Sequence, residues 1–241
     1  MKDLGHSFFA LVVAAGVGER MNTFLPKQYL PLLGKPVLAH TLDAFERFPD
    51  IEGIVVAIHP SHVEIFEREI LRKYEYRKFR RYVFGGATRQ TSVYEGLKTL
   101  RDRPQDFVLI HDGVRPLVSE EILKRCTEAV ARYEAVCCAI PSVDTLKLSL
   151  DGKTIEETLD RRKVWRAQTP QAFRIELIFR ALEQALEDGF QGTDDASLVE
   201  HLGVQVHLVL GSEENLKITT PQDFLLAEEM LRWRIRWSHI G

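Results

Sequence analysis

The chain has 241 residues, 45% hydrophobic and 28% charged, enough to bury one substantial core, so a single globular domain over residues 1–241 is expected. A formal net charge of −3 supplies no global basic field. That argues against nucleic acid or an anionic membrane surface as partner, and leaves any anion to be met by locally gathered cations. Cys126, Cys137 and Cys138 lack zinc-ligand spacing and suit core packing in a reducing compartment.

The opening "MKDLGHSFFALVVAAG" has the outline of a secretory leader, but Asp3 and His6 break that pattern and a Gly-rich loop follows at once. No apolar stretch reaches the roughly 18 residues of a spanning helix, and the expected location is the cytoplasm. Apolar runs of strand length recur at "FFALVVA", "GIVVAIH", "RYVFGG", "DFVLIHD", "AVCCAIP" and "VQVHLVL". Their unbroken apolar character suits strands covered on both faces. Segments with helical period alternate with them: "KPVLAHTLDAFERF", with Pro36 placed in a first helical turn, then "HVEIFEREILRKY", "TSVYEGLKTLR", "EEILKRCTEAVARY" and "IELIFRALEQALEDG". The alternation predicts an α/β fold with a largely parallel, Rossmann-like sheet flanked by helices. A last helix is expected to start at Pro221.

Residues 142–163 depart from this rhythm. Polar and apolar residues alternate around Asp151-Gly152, a dipeptide suited to a tight hairpin turn. Two readings fit: an ordinary edge hairpin, or a β-arm that projects and embraces a second subunit.

The stretch "AAGVGERM" followed by "PKQ" reads as an anion loop. A dinucleotide fingerprint fails, because Met21 stands where its third glycine belongs and the second strand closes in His59-Pro60 rather than in an acid; this disfavours an NAD(P)-dependent oxidoreductase. A Walker loop fails too, since Gly34-Lys35 has Tyr29 upstream and Pro36 downstream. Ala14, Ala15, Gly16 and Gly18 lack bulk, so backbone N–H groups can approach a polyphosphate, and Arg20 and Lys27 can add full positive charge. On this window alone, a Gly-rich turn with two solvated cations fits equally well.

Four further segments put polar residues where strands should end. "FGGATRQTSV" offers Gly86, Arg89 and Ser92. "IHDGVRP" sets Asp112 and Arg115 outside the carboxyl end of a strand, where open α/β sheets bind ligands, or makes of them a plain ion pair. "TDDAS" and "NLKITTP" add Thr193 and Lys217. Asp194 or Thr193 is also suited to cap a helix, and His111 reads as a structural histidine before a general base.

Together the segments "AAGVGERM…PKQY", "GGATRQTSV", "HDGVRP", "DTLK", "DRRKVWRAQTPQAF", "TDDAS" and "NLKITTP" resemble, in order and over nearly the whole chain, the 2-C-methyl-D-erythritol 4-phosphate cytidylyltransferase family. The resemblance implies a nucleotidyltransferase that moves CMP from CTP to 2-C-methyl-D-erythritol 4-phosphate in non-mevalonate isoprenoid synthesis, with Mg2+ as cofactor. It implies that Arg20 and Lys27 stabilise the transition state and that Arg161 and Lys217 position the acceptor phosphate. Ala14, Ala15, Gly16, Gly18, Gly86, Arg89 and Ser92 fall to the nucleotide site. Asp112, Arg115, Thr145, Thr169 and Thr193 fall at substrate-contacting positions, Asp112 also being the candidate metal ligand. The arm then implies a homodimer, with Thr145 and Arg161 lent to the neighbouring subunit. Ala87 departs from relatives that carry an acid there. A sister family acting on ribitol 5-phosphate shares the loop, "HD..RP" and the late lysine; "WRAQTPQAF" and "TDDAS" favour the first. No protein base is needed, since a phosphate monoester is mostly dianionic at neutral pH.

Overall fold

The structure, a computed structural model, describes residues 5–16 and 25–237. A seven-stranded sheet is formed by β1 (Phe8–Ala14), β2 (Ile51–Ile58), β3 (Phe79–Phe84), β4 (Phe107–Asp112), β5 (Ala135–Pro141), β6 (Trp165–Arg174) and β7 (His207–Leu210). Their spatial order is β7-β5-β6-β4-β1-β2-β3. β1 pairs parallel with β2 and β4, β2 with β3, and β5 with β7, whereas β6 runs antiparallel to both β4 and β5. The sheet is therefore largely parallel, as the alternation predicts, with one reversed strand inserted near its middle.

Among the described residues six α-helices cover it, α1 (Val37–Arg47), α2 (Val63–Phe66), α3 (Arg89–Leu97), α4 (Glu120–Tyr133), α5 (Ile175–Glu187) and α6 (Asp195–His201), while α7 (Pro221–Trp237) packs through Ala227 in a separate cluster with Leu32, Val114 and Ile218. Side chains alternate across a strand, so β1 sends Phe8, Ala10, Val12 and Ala14 to one face and Phe9 and Leu11 to the other. On the first face they meet Leu42 and Phe45 of α1, Phe66 of α2, and Ile122 and Cys126 of α4. On the second they meet Val93 and Leu97 of α3, Ile178 and Leu182 of α5, and Leu198 of α6. Both faces are apolar, which is why the strand sequences show no polar alternation.

Three expectations are corrected. Pro36 lies just ahead of α1 with ψ 140° and pairs with Pro31 in a two-residue ladder, because the Leu33-Gly34 turn, with positive φ at both residues, reverses the chain between them. The segment after His62 is one four-residue α-turn followed by a wider π-turn over Glu67–Leu71, not a long regular helix. Between the arm strands Lys147–Leu148 and Glu157–Thr158 stand eight residues, 149–156, rather than a two-residue turn. Only Gly152 of the Asp151-Gly152 pair has positive φ, at 70°. The Asp151 carboxylate organises this longer loop by accepting from the backbone N–H of Lys153 at 2.7 Å and of Thr154 at 2.8 Å.

β5 delivers the chain into the arm at Pro141 and β6 takes it back at Trp165, so the arm leaves from the sheet edge where β1 and β4 also end. No described helix is long and apolar enough to cross a membrane.

Candidate active site

A cleft of about 560 Å³ opens at the carboxyl ends of β1 and β4. Ala14, Ala15 and Gly16 form one wall, Gly86, Ala87, Thr88, Arg89 and Ser92 another, and Lys27, Gln28, Asp112 and Lys217 complete it. A Cβ placed on Gly16 would meet nothing within 4 Å, whereas one on Gly85 would lie 2.4 Å from the Ala15 Cβ and 2.7 Å from the Ser92 Oγ. Gly16 thus leaves bare backbone toward open space, while Gly85 lets the two glycine-bearing walls approach. Thr88 caps α3 by accepting from the Thr91 N–H at 3.1 Å, and the Ser92 hydroxyl donates to the Thr88 carbonyl at 2.8 Å.

Asp112 is the electrostatic hub. Arg89 Nε lies 3.3 Å from its Oδ1, while Arg115 Nε at 3.2 Å and Lys217 Nζ at 3.0 Å share its Oδ2. Burial alone would raise its pKa, but Arg89, Lys217 and Arg115 outweigh burial and hold the carboxyl well below the usual range. Arg89 Nη2 also lies 2.7 Å from Asp195 Oδ2, a close ion pair without hydrogen-bond alignment. Asp195 is fully buried at the start of α6, and burial raises its pKa against the pull of Arg89. Three cations therefore face two carboxylates, and Lys27 adds further positive charge to the lining. The local surplus of cations is what the acidic overall composition did not reveal.

His111 has no exposed surface. Its Nε2 lies 3.2 Å from the Arg115 carbonyl, an acceptor only, so Nε2 carries the proton. Its Nδ1, 3.0 Å from the Thr169 hydroxyl, then accepts from it, and the same hydroxyl oxygen accepts from the Asp112 N–H at 3.1 Å. Burial pushes the imidazole down to about 4. His111 is a neutral strut beneath the hub, in keeping with its structural reading.

The structure thus brings Ala14, Ala15, Gly16, Lys27, Gly86, Arg89, Ser92, Asp112 and Lys217 to one cleft. Arg115 and Thr169 are buried behind it, Arg115 donating from Nη1 to the Asn215 carbonyl at 2.7 Å. Thr145, Arg161 and Thr193 are exposed and do not border the cleft. Arg161 donates from Nη1 to the Val143 carbonyl at 3.1 Å, within the arm base. Gly18 and Arg20 lie outside the described residues. Asp194 caps α6, its Oδ1 accepting from the Ser197 N–H at 2.9 Å. Sequence reading gave no role to Gln28, Asp195 or Asn215, although each sits inside a quoted segment. Asn215 donates to the Thr169 carbonyl at 2.7 Å and so fixes the approach to Lys217.

Among the described residues no group of three His, Cys, Asp or Glu side chains is placed to hold a metal. Asp112 lines the cleft, and its Oδ1 has a single partner, at 3.3 Å, so it retains acceptor capacity for one ligand position. Such a site fits a hard cation that brings most of its own oxygen ligands, as magnesium on a triphosphate does.

The reversed strand, the helices on both faces and a glycine-walled, cation-lined cleft at the carboxyl edge define an α/β nucleotidyltransferase-like fold. The sequence profile of the family described as IspD, 2-C-methyl-D-erythritol 4-phosphate cytidylyltransferase, matches residues 8–233, and the chain belongs to that family. It is 45% identical over 229 residues to the enzyme of that name from Geobacter metallireducens, covering 94% of this chain and 98% of the relative. The Clostridioides difficile enzyme is 42% identical over 229 residues, covering 95% of each. The crystal structure of 4-diphosphocytidyl-2C-methyl-D-erythritol synthase from Anaerococcus prevotii superposes with a TM-score of 0.84 at 36% identity, over 96% of this chain and all of that one.

Proposed function

We propose that the chain transfers CMP from CTP to 2-C-methyl-D-erythritol 4-phosphate with release of pyrophosphate. The observation that carries this reading is the Asp112 hub, a preassembled set of cations beside bare backbone in a cleft large enough for a nucleotide. The acceptor phosphate is mostly dianionic at neutral pH, so it attacks the α-phosphorus without a protein base, consistent with the role of His111 as a buried strut. The obstacle is repulsion between the acceptor and the triphosphate. Lys27, with Arg20 assigned from the sequence, stabilises charge on the equatorial and leaving oxygens, where one such donor is commonly worth on the order of 100- to 1000-fold in rate. Lys217 and Arg161 position the acceptor phosphate. Ala14 to Gly16, Gly18, Gly86, Arg89 and Ser92 receive the nucleotide. Arg115 and Thr169 act from behind the cleft by holding Asp112, and Thr193 is assigned to the substrate from the sequence.

A magnesium ion on the phosphates would supply charge shielding and alignment of the leaving group, with Asp112 as its protein ligand. The chain acts as a homodimer in the cytoplasm, the arm at residues 142–163 lending Thr145 and Arg161 to the partner's cleft. Exposed Val143, Leu150 and Ile155 on that arm support the assignment. Pyrophosphate release from CTP, measured with 2-C-methyl-D-erythritol 4-phosphate and ribitol 5-phosphate in turn, tests the reading. Release with the first and little with the second is expected; the reverse selectivity, or none with either, overturns it.

A further inference from the structure

Gln28 is 1% exposed, and its side-chain amide donates to the Ala14 carbonyl and to the Gly16 carbonyl, each at 2.9 Å. A primary amide has two N–H groups, so both are committed to backbone on the nucleotide wall of the cleft. Gln28 itself is seated firmly. It belongs to the 3-10 turn Lys27–Tyr29, which is closed by the Tyr29 N–H on the Pro26 carbonyl at 2.8 Å. Tyr29 is 2% exposed and meets the His62 ring edge-on at 5.6 Å. The preceding residue, Lys27, lines the cleft, as do Ala14 and Gly16. One buried amide therefore joins the end of β1 to the turn that carries a cleft cation.

We infer that Gln28 is a positioning residue for the nucleotide, a clamp that fixes the Ala14–Gly16 backbone and Lys27 relative to each other. The inference rests on the cytidylyl-transfer reading above. The side-chain type follows from the geometry. Glutamate at this position would offer no donor to two carbonyls, lysine would bury a charge, and asparagine would be one methylene short. Because the wall has little beyond two methyl groups to hold it where β1 ends, backbone tethered by Gln28 is preorganised before ligand arrives, and less ordering entropy is lost on binding.

The test is Gln28→Met, which keeps volume and removes both donors, with Gln28→Asn as a second variant should the first fail to fold. Hydrogen exchange at the amides of residues 14–16 is expected to accelerate in either variant while the unfolding transition stays cooperative. KM for CTP is expected to rise on the order of tenfold, from the loss of two ordering hydrogen bonds. KM for the acceptor should stay within about twofold, because Lys217 is held through Asp112 and Asn215 rather than Gln28. Unchanged exchange at residues 14–16 overturns the clamp, and so does an equal rise in both KM values, which marks a merely structural role. If the wild-type protein transfers no CMP, the functional reading fails, and the exchange measurement still judges the clamp by itself.

Discussion

Lys27 is the residue whose removal separates charge from fold. It lies on the cleft lining and outside the apolar clusters, so Lys27→Ala is expected to leave the unfolding midpoint within the error of measurement and to cut turnover at least about tenfold. Arg20→Ala is expected to do the same; steady-state rates with equilibrium unfolding of each variant check both, and near-wild-type turnover in the pair contradicts the assignment. His111 gives a prediction of opposite kind. Its ordinary pKa of 6.5 is lowered to about 4 in the fold, so between those values the unfolded chain takes up a proton that the folded chain refuses. Stability should fall as pH drops through that window, by up to about 3 kcal/mol. Asp195, whose pKa burial raises, pulls the other way in the acid part of the same range, and the depressed Asp112 adds loss only below the ordinary carboxylate range. The His111 contribution is therefore read as a difference: unfolding free energy against pH should be flatter for His111→Asn than for the parent between pH 6.5 and about 4.

At the scale of elements, α6 depends on its cap more than its seven residues suggest. Asp194 accepts from Ser197 N–H at its own helix start and from the Gln171 amide at 2.7 Å on β6, so one carboxylate joins helix to reversed strand. Asp194→Ala should lower stability by about 2 kcal/mol in urea titration, combining a lost cap with loss of the shortest acceptor of the buried Gln171 amide, which keeps only the longer contacts to Cys137 Sγ and the Gln168 carbonyl. An effect no larger than that of a solvent-exposed substitution would show that the cap alone does not hold α6. The same corner explains what sequence pattern missed. The strands β1, β4 and β5 announced themselves because both of their faces are apolar. β6 did not, for Gln168, Thr169, Pro170 and Gln171 interrupt it, and such residues normally argue against a central strand. They are tolerated because buried partners satisfy them: Gln168 donates to the Ser212 carbonyl at 2.8 Å, and Gln171 Oε1 accepts from the Ala196 N–H at 2.8 Å. Those partners are distant in sequence, so no local period encodes them. The cleft was legible in part for the complementary reason. Gly16, Gly86, Asp112 and Lys217 stand where strands end or loops lead into helices, but that Arg89 would be braced by a carboxylate from α6 is a tertiary fact.

For the whole molecule, the arm and the cleft share one edge of the sheet, yet Thr145 and Arg161 do not reach the cleft of their own chain. If two copies exchange arms, an Arg161→Ala chain and a Lys27→Ala chain can together build one cleft that carries both native residues. Mixing the two variants should restore activity to roughly a quarter of wild type, half the chains being in hybrids and half of those sites intact. Verified heterodimers with no more activity than either parent would show that each cleft uses its own arm.

The pairing of Lys217 with Asp112 has a consequence for which anions the resting protein ignores. The Asp112 carboxylate is held in place by Arg89 and Arg115 as well, so it stands beside Lys217 before any ligand arrives. A lone anion at Lys217 therefore meets a charge already partly neutralised, whereas a ligand that touches several cations of the cleft at once meets their sum.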